Sequence, residues 1–144
     1  MRFVILIKAT KNCEAGIPPD DKTESGIAKY TEELANAGAL LAVERLQPSS
    51  NGARVRYANG KLTVIDGPFA ETKELVAGFF LIQARSRDEA IAWAKRVPAP
   101  HGPDEQCEIE VRQFFELEDF QPSEAVEHHK EVGKKLAASK KTGA

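Results

Sequence analysis

The part of this sequence best suited to chemistry is a turn that joins two apolar stretches. Asp66 is followed by Gly67, Pro68 and Phe69, and Lys73 lies a few residues further on. Asp-Gly and Gly-Pro pairs are typical of turns, because glycine is conformationally free and proline fixes its own φ. A carboxylate beside such a turn, at the end of a strand, could face a cavity and titrate in a useful range if burial raised its pKa.

We therefore predict that Asp66 is a catalytic carboxylate and that four residues of this turn bind a ligand, namely Gly67, Pro68, Phe69 and Lys73. The alternative is a purely structural corner. In that case the Asp66 side chain would accept a hydrogen bond from the backbone amide of Gly67 or Phe69, as in an Asx turn.

Two other residues carry side chains suited to catalysis or binding. His101 lies in a loop between prolines and a glycine, beside Asp104, and an imidazole can act as a base near neutral pH. Arg112 lies on a predicted strand, and a guanidinium can bind an anionic ligand through two hydrogen bonds. We predict that His101 is catalytic and that Arg112 binds ligand. The alternatives are an exposed histidine and an arginine paired with Glu110 or Glu44.

Several other kinds of site are not predicted. His128 and His129 are adjacent, and adjacent residues of a helix do not face each other, so we expect no metal site. A catalytic serine triad, a phosphate-binding loop and a dinucleotide fingerprint are all missing from the sequence, so we expect no cofactor. Cys13 and Cys107 are isolated in the sequence, which favours a reducing compartment over a disulfide framework.

Length and composition limit the classes of protein. The chain has 144 residues, of which 42% are hydrophobic and 29% charged, as in an ordinary soluble domain. The net charge of −2 gives no reason to expect nucleic acid as a partner. No apolar run approaches the roughly 20 residues of a membrane span, and the first strand does not resemble a signal peptide. We therefore expect a cytoplasmic protein.

Hydrophobic periodicity predicts an α+β order of strand, helix, four strands, helix and strand, which is a split βαβ pattern with an extra hairpin. Asn59–Gly60 between two alternating runs is a strong hairpin signal. The predicted strands are residues 3–7, 40–43, 54–58, 61–65, 78–84 and 108–115. The predicted helices are one capped by Asp20 or Asp21 and ended at Gly38, one from a capping box of Ser86 and Glu89 to Pro98, and one over about 123–138. Residues 9–22 are predicted to be a loop, and Trp93 a core residue.

The strands themselves suggest a dimer. Residues 3–7 and 79–82 are apolar at odd and even positions, so both faces of their sheet need burial. Two such sheets packed face to face would provide it. The alternative is that the C-terminal helix covers the second face. We predict one domain over residues 1–120 and a helical tail over residues 121–144.

Residues 66–74, DGPFAETKE, resemble the signature of the DGPF-domain branch of the YciI-related family. The resemblance extends over roughly residues 1–115, through MRFVILIK, EELANAGALL, ERLQP, DEAIAWAKRVP and IEVR. It implies a ferredoxin-like α+β fold that pairs into a dimeric α/β barrel.

The resemblance also implies two kinds of function. The first is small-molecule binding in a dimer cleft, with lyase-like or dehydrochlorinase-like activity. The His–Asp pair of such relatives has its histidine in the first half of the chain. This sequence has no histidine before His101, so that pair cannot be carried over. The second is a regulatory or accessory module linked to sigma factors of the extracytoplasmic-function class, with residues 114–120 and the tail as the docking surface.

Overall fold

The computed structural model describes residues 1–142 and shows an α+β chain whose sheets are antiparallel. Backbone contacts divide the chain into two compact units, Met1–Gln113 and a second that starts at Phe114. None of the helices within residues 1–142 has the length and apolar content that a membrane span needs. The elements in chain order are β1 (Arg2–Lys8), α1 (Lys11–Glu14), α2 (Asp21–Asn36), β2 (Leu40–Arg45), β3 (Ala53–Ala58), β4 (Lys61–Asp66), β5 (Val76–Gln83), α3 (Arg87–Lys95), β6 (Ile109–Gln113) and α4 (Glu124–Thr142).

The main sheet has four antiparallel strands in the order β2-β5-β1-β6. The two central strands are the first and third sheet strands along the chain, and each is followed by a helix that leads to an edge strand. This is the predicted split βαβ arrangement, and it is consistent with a ferredoxin-like fold. The sheet stays open at β2 and β6, so the strands of residues 1–142 form no closed barrel.

The hydrophobic core lies between this sheet and the two helices α2 and α3. Phe3, Ile5 and Ile7 of β1 point to this side, because alternate residues of a strand share a face. Tyr30 of α2 crosses the core and donates a hydrogen bond to the Trp93 carbonyl of α3 at 2.8 Å. Burial raises the pKa of Tyr30 to about 12. The prediction that Trp93 is a core residue is confirmed, since it packs against this cluster.

The other face of the sheet presents Val4 and Leu6 of β1 beside Leu81 and Phe79 of β5, which pair with them directly. We call these four residues the open sheet face. They are half-buried, whereas their neighbours on the helix side are buried. Because α2 and α3 cover only one face, the predicted burial of the second face against another sheet stays a prediction.

Local sequence signals place the helix ends. The Asp20 carboxylate accepts a hydrogen bond from the Thr23 amide at 2.8 Å, and Gly38 follows α2 with φ of +69°. The Ser86 hydroxyl accepts from the Glu89 amide at 3.1 Å. The second half of the predicted capping box is different, because the Glu89 carboxylate accepts from the Arg85 amide.

Three segment predictions need correction. Residues 9–22 include α1, a four-residue helix in which the Thr10 hydroxyl accepts from the Cys13 amide at 3.2 Å. The last strand is shorter than predicted, and α4 extends further, to Thr142. The predicted tail of residues 121–144 includes residues 143 and 144, which lie outside the described residues. The predicted domain limits of 1–120 and 121–144 stay a prediction.

Strands β3 and β4 form the predicted hairpin, and the structure shows it as a two-stranded sheet separate from the main one. Pairing runs from Ala53 opposite Asp66 to Ala58 opposite Lys61, one residue pair longer than expected. Both residues of the turn have positive φ, at 50° for Asn59 and 73° for Gly60. An Asn-Gly pair suits such a turn because both residues tolerate this region.

Candidate ligand cavity

A cavity of about 780 Å³ lies between α2 and the strand ends of the main sheet. We call it the α2 cavity. Its volume falls in the range of about 300–1,000 Å³ that is typical of small-molecule sites. Apolar side chains form much of its wall, and these include Ile7, Ile27, Val43 and Phe80.

The sequence positions the wall of the cavity through one helix face and three loops. Glu24, Ala28 and Thr31 of α2 line it, and their spacing of four and three residues places them on one face of the helix. The loops contribute prolines at three points, which stiffen the backbone of each segment. These prolines are Pro18 and Pro19 after α1, Pro48 after β2, and Pro100 after α3.

His101 lines the α2 cavity, and its ring is fixed by one hydrogen bond. Its Nε2 lies 2.8 Å from the carbonyl oxygen of Lys8, the last residue of β1. Because a carbonyl only accepts, Nε2 must carry the hydrogen, and the neutral ring then has an unprotonated Nδ1. An imidazole held in this tautomer can accept a proton or a hydrogen bond from a ligand. The predicted neighbour Asp104 is exposed, and the partner that the structure gives His101 is Lys8 instead.

An ion pair at the cavity wall was not predicted. Arg45 at the end of β2 donates two parallel hydrogen bonds to the Glu24 carboxylate, at 2.6 Å and 2.7 Å. The hydrogen bonds from Arg45 lower the pKa of Glu24, and those to Glu24 raise the pKa of Arg45. The two residues are 21 positions apart, so no helical or strand periodicity connects them.

Two thiols lie close to the end of β1. Cys13 lines the cavity, and the Cys107 sulfur is 3.5 Å from the Lys8 carbonyl oxygen that also binds His101. Burial raises the pKa of both cysteines, so both are protonated thiols at neutral pH. They form no disulfide in the structure.

Asp66 lies at the end of β4 and is exposed. It does not cap the turn, because both amides named in that alternative have other acceptors. The Gly67 amide donates to the Gly52 carbonyl at 2.9 Å, and the Phe69 amide donates to the Ser49 hydroxyl at 3.0 Å. The Asx-turn alternative is therefore wrong, and a functional role for the Asp66 carboxylate stays a prediction.

The remainder of the predicted turn is held tightly against the segment before β3. A Cβ built on Gly67 would lie 1.8 Å from the Ser49 carbonyl oxygen, so only glycine fits there. Ser49 is itself held by Glu14, whose carboxylate accepts from the Ser49 amide at 3.0 Å and from its hydroxyl. The Arg54 guanidinium lies 3.8 Å from the centre of the Phe69 ring, a cation–π contact.

The structure does not bring the predicted site residues together. Of these residues, His101 lines the α2 cavity, while Asp66, Gly67, Pro68 and Phe69 lie at the base of the hairpin. Lys73 is exposed in the 3₁₀ turn Thr72–Glu74. Within residues 1–142, no group of three or more histidine, cysteine or acidic side chains is placed to hold a metal ion.

Arg112 lies on β6, opposite Val4 of the open sheet face. It donates to the Glu110 carboxylate at 3.2 Å, and the Lys8 ammonium lies 3.6 Å from the same carboxylate. The hydrogen bond from Arg112 lowers the pKa of Glu110. The alternative in which Arg112 pairs with Glu110 is therefore present in the structure, and Arg112 lies beside the open sheet face rather than in the cavity.

Comparison with known proteins identifies a matching family model and a relative of unassigned function. A family model described as the YCII-related domain matches residues 1–115. An uncharacterised protein of Rhizobium meliloti (strain 1021) is 40% identical over 76 residues, which cover 53% of this chain. The matched region spans 61% of the length of that relative.

Proposed function

The chain belongs to the YCII-related domain family, and from that premise we propose that it forms a homodimer and binds a small molecule in the α2 cavity. The observation that carries the proposal is the cavity itself, with a volume of about 780 Å³. Binding sites for small molecules combine apolar walls with a few polar groups that orient the ligand. His101 and the Arg45–Glu24 pair supply such groups here.

The chemistry of the wall suggests the class of ligand. Apolar side chains favour a flat or branched hydrocarbon part, because burial of apolar surface is the main source of affinity. In the neutral tautomer that the Lys8 contact selects, Nδ1 of His101 accepts a hydrogen bond, which favours a ligand that carries a hydroxyl. Aromatic acids with a ring hydroxyl and hydroxyquinones have both features.

Two matched alanines of α2 allow a direct test. Ala28 and Ala35 are both exposed on α2, but Ala28 lines the cavity and Ala35 does not. Ala28→Phe should therefore reduce the volume available to a ligand, while Ala35→Phe makes the same chemical change elsewhere. A panel of small aromatic acids and hydroxyquinones is screened by thermal shift, in which a bound ligand raises Tm.

We expect at least one compound to raise Tm of the wild type and of Ala35→Phe, but not of Ala28→Phe. If Ala28→Phe responds as strongly as Ala35→Phe, the compound binds outside the cavity. If no compound stabilises the wild type, small-molecule binding of this class is rejected.

The homodimer is proposed to form through the open sheet face. The apolar residues of that face, Val4, Leu6, Phe79 and Leu81, are left half-buried by the single chain. Two such faces packed together would form the dimeric barrel that the resemblance implies. Arg112 and Glu110 would then lie at the border of the interface, where Arg112 could reach a ligand in the cleft between subunits.

A lyase-like reaction stays a prediction. Such a reaction needs a base that removes a proton from the substrate, and the geometry of His101 suits that role. Asp66 is the other predicted catalytic residue, and it would need a ligand or a second subunit to approach the base of the hairpin.

A second candidate function is a regulatory module that docks on a sigma-factor-linked protein. The observation that favours it lies in the second unit, where Val132 and Leu136 lie one turn apart on α4 and are both exposed. Amphipathic helices bind partner grooves through residues at this spacing. Removal of residues 121–144 should then abolish capture of the sigma factor in a pull-down, and capture by the shortened chain would reject this function.

A further inference from the structure

The hairpin of β3 and β4 carries an apolar face that the single chain leaves in solvent. Val55 pairs with Val64 and Tyr57 pairs with Leu62. Residues directly opposite each other share a face, and so do residues two apart on one strand. The four side chains therefore form one surface, which we call the hairpin apolar face. Their exposed fractions are 53%, 66%, 80% and 64%, in the order in which the pairs are named.

The opposite face of the same hairpin is mainly polar. Arg54, Arg56, Lys61 and Thr63 lie on it, together with the exposed Ala58 and the half-buried Ile65. A hairpin that alternates in this way is built to cover something apolar on one side. Contiguous exposed apolar surface is uncommon on a monomer and marks an interaction site. Isolated two-stranded hairpins are marginally stable in water, so the apolar face needs a partner surface.

The base of the hairpin is fixed although its apolar face is free. The Gly67 amide donates a hydrogen bond to the Gly52 carbonyl, and the Phe69 amide donates one to the Ser49 hydroxyl. The Arg54 guanidinium also stacks on the Phe69 ring. The hairpin is therefore a preorganised arm rather than a loose loop, and a preorganised surface loses less entropy when it binds.

We propose that the hairpin apolar face packs against a second copy of this chain, as an arm that extends the homodimer interface. This inference rests on the homodimer of the proposed function and adds a contact to it. The open sheet face and the hairpin apolar face belong to the same unit, and a two-fold dimer buries both kinds of surface on both chains at once.

The areas support a second copy as the occupant. A four-stranded sheet face of this length has a footprint of about 300 Å² at ordinary strand spacing. A standard interface buries about 600–1,000 Å² on each partner, so the sheet face alone falls below that range and would give only a weak dimer. Each hairpin covers about 200 Å², and each chain both offers a hairpin and receives one, which brings the footprint to about 700 Å² per chain.

Two neighbouring residues of β4 provide matched variants. Leu62 lies on the hairpin apolar face, and Thr63 is exposed on the opposite face of the same strand. Leu62→Glu places a charge in the proposed interface, and Thr63→Glu places the same charge opposite Arg56, outside it. Tyr57→Glu is a second interface variant. Sedimentation equilibrium gives the dimer dissociation constant, and circular dichroism and Tm establish that each variant is folded.

We expect Leu62→Glu and Tyr57→Glu to raise the dimer dissociation constant at least about 30-fold, because a carboxylate would be buried in an apolar contact. Thr63→Glu should leave it unchanged. Hydrogen exchange of the wild type should slow in residues 53–66 as protein concentration rises through the dissociation constant.

If the wild type is a dimer and all three variants match it, the hairpin inference is wrong while the dimer through the sheet face stands. If the wild type is a monomer at every concentration, both the inference and the proposed homodimer are wrong. Binding of aromatic acids to the α2 cavity is measured separately and does not depend on either outcome.

Discussion

Gly67→Ala should destabilise the protein more than any other single methyl addition in the turn region. A Cβ at residue 67 would lie 1.8 Å from the Ser49 carbonyl oxygen and 2.6 Å from its carbonyl carbon. Both are backbone atoms, so no side chain can rotate away, and the two segments must separate by more than about 1 Å to restore ordinary contact distances.

That separation affects two hydrogen bonds between the turn and the segment before β3. These are the bond from the Gly67 amide to the Gly52 carbonyl, and the bond from the Phe69 amide to the Ser49 hydroxyl. Each contributes about 1 kcal/mol, and the overpacking itself costs about 1–3 kcal/mol. The free energy of unfolding should therefore fall by about 3–5 kcal/mol, a large part of the roughly 5–15 kcal/mol typical of a domain.

Urea unfolding followed by circular dichroism measures this change through the midpoint at constant slope. Gly52→Ala is the matched control, because its added Cβ meets the Ser49 carbonyl oxygen at 3.5 Å, an ordinary contact, and its φ of −120° suits alanine. The control should stay within about 0.5 kcal/mol of the wild type. If Gly67→Ala unfolds at the same urea concentration as Gly52→Ala, the turn is not held as tightly as the close approach implies.

Three further predictions concern the core, the cavity and the turn. Burial raises the pKa of Tyr30 to about 12, from 10.0 in the unfolded chain, so the stability that this residue contributes is complete below pH 10 and is lost as pH rises toward 12. Thermal or urea unfolding should show a loss of about 2–3 kcal/mol over this range, and Tyr30→Phe should lack this alkaline decline. His101→Gln keeps a donor for the Lys8 carbonyl but should weaken binding of any cavity ligand up to about 10-fold by titration calorimetry, whereas His128→Gln on α4 should bind as the wild type does. Glu14→Gln removes the charge that accepts two hydrogen bonds from Ser49, so the free energy of unfolding measured by urea denaturation should fall by about 1–2 kcal/mol. An unchanged urea midpoint would mean that Glu14 does not hold the turn.

The fold was predictable where residues close together in the sequence determine a turn or a helix end by themselves. Asn59–Gly60 specifies the hairpin, since both residues tolerate positive φ. Asp20 and Ser86 specify helix starts, because each side chain reaches an amide three residues away. The short helix α1 was missed because its four residues, Lys11–Glu14, are too few to show a helical period.

The candidate site was less predictable because its contacts join segments that are far apart in the chain. His101 binds the carbonyl of Lys8, 93 residues away, and Arg45 binds Glu24 across 21 residues. No period of a helix or strand encodes such pairs, so His101 was identified by its residue type alone and Arg45 was missed. The same reason explains the error in the Asx-turn alternative. The Phe69 amide donates its hydrogen bond to the hydroxyl of Ser49, 20 residues earlier, whereas the alternative based on local sequence assigned this amide to Asp66.

Two apolar surfaces of this chain are partly exposed and are proposed to be buried by a second copy of the chain. The strands β1 and β5 are apolar at both odd and even positions, and α2 and α3 bury only one set. The hairpin has its own apolar set, which lies in solvent while its polar set includes Arg54 and Arg56. Each surface alone is smaller than a standard interface and would give only a weak dimer, but a two-fold pairing would bury both surfaces on both chains. The open sheet face and the hairpin apolar face lie on different sheets, so a substitution on one of them should weaken the dimer and leave the contact through the other intact. Leu62→Glu should therefore give a weakened dimer whose remaining association is lost only when the open sheet face is altered as well.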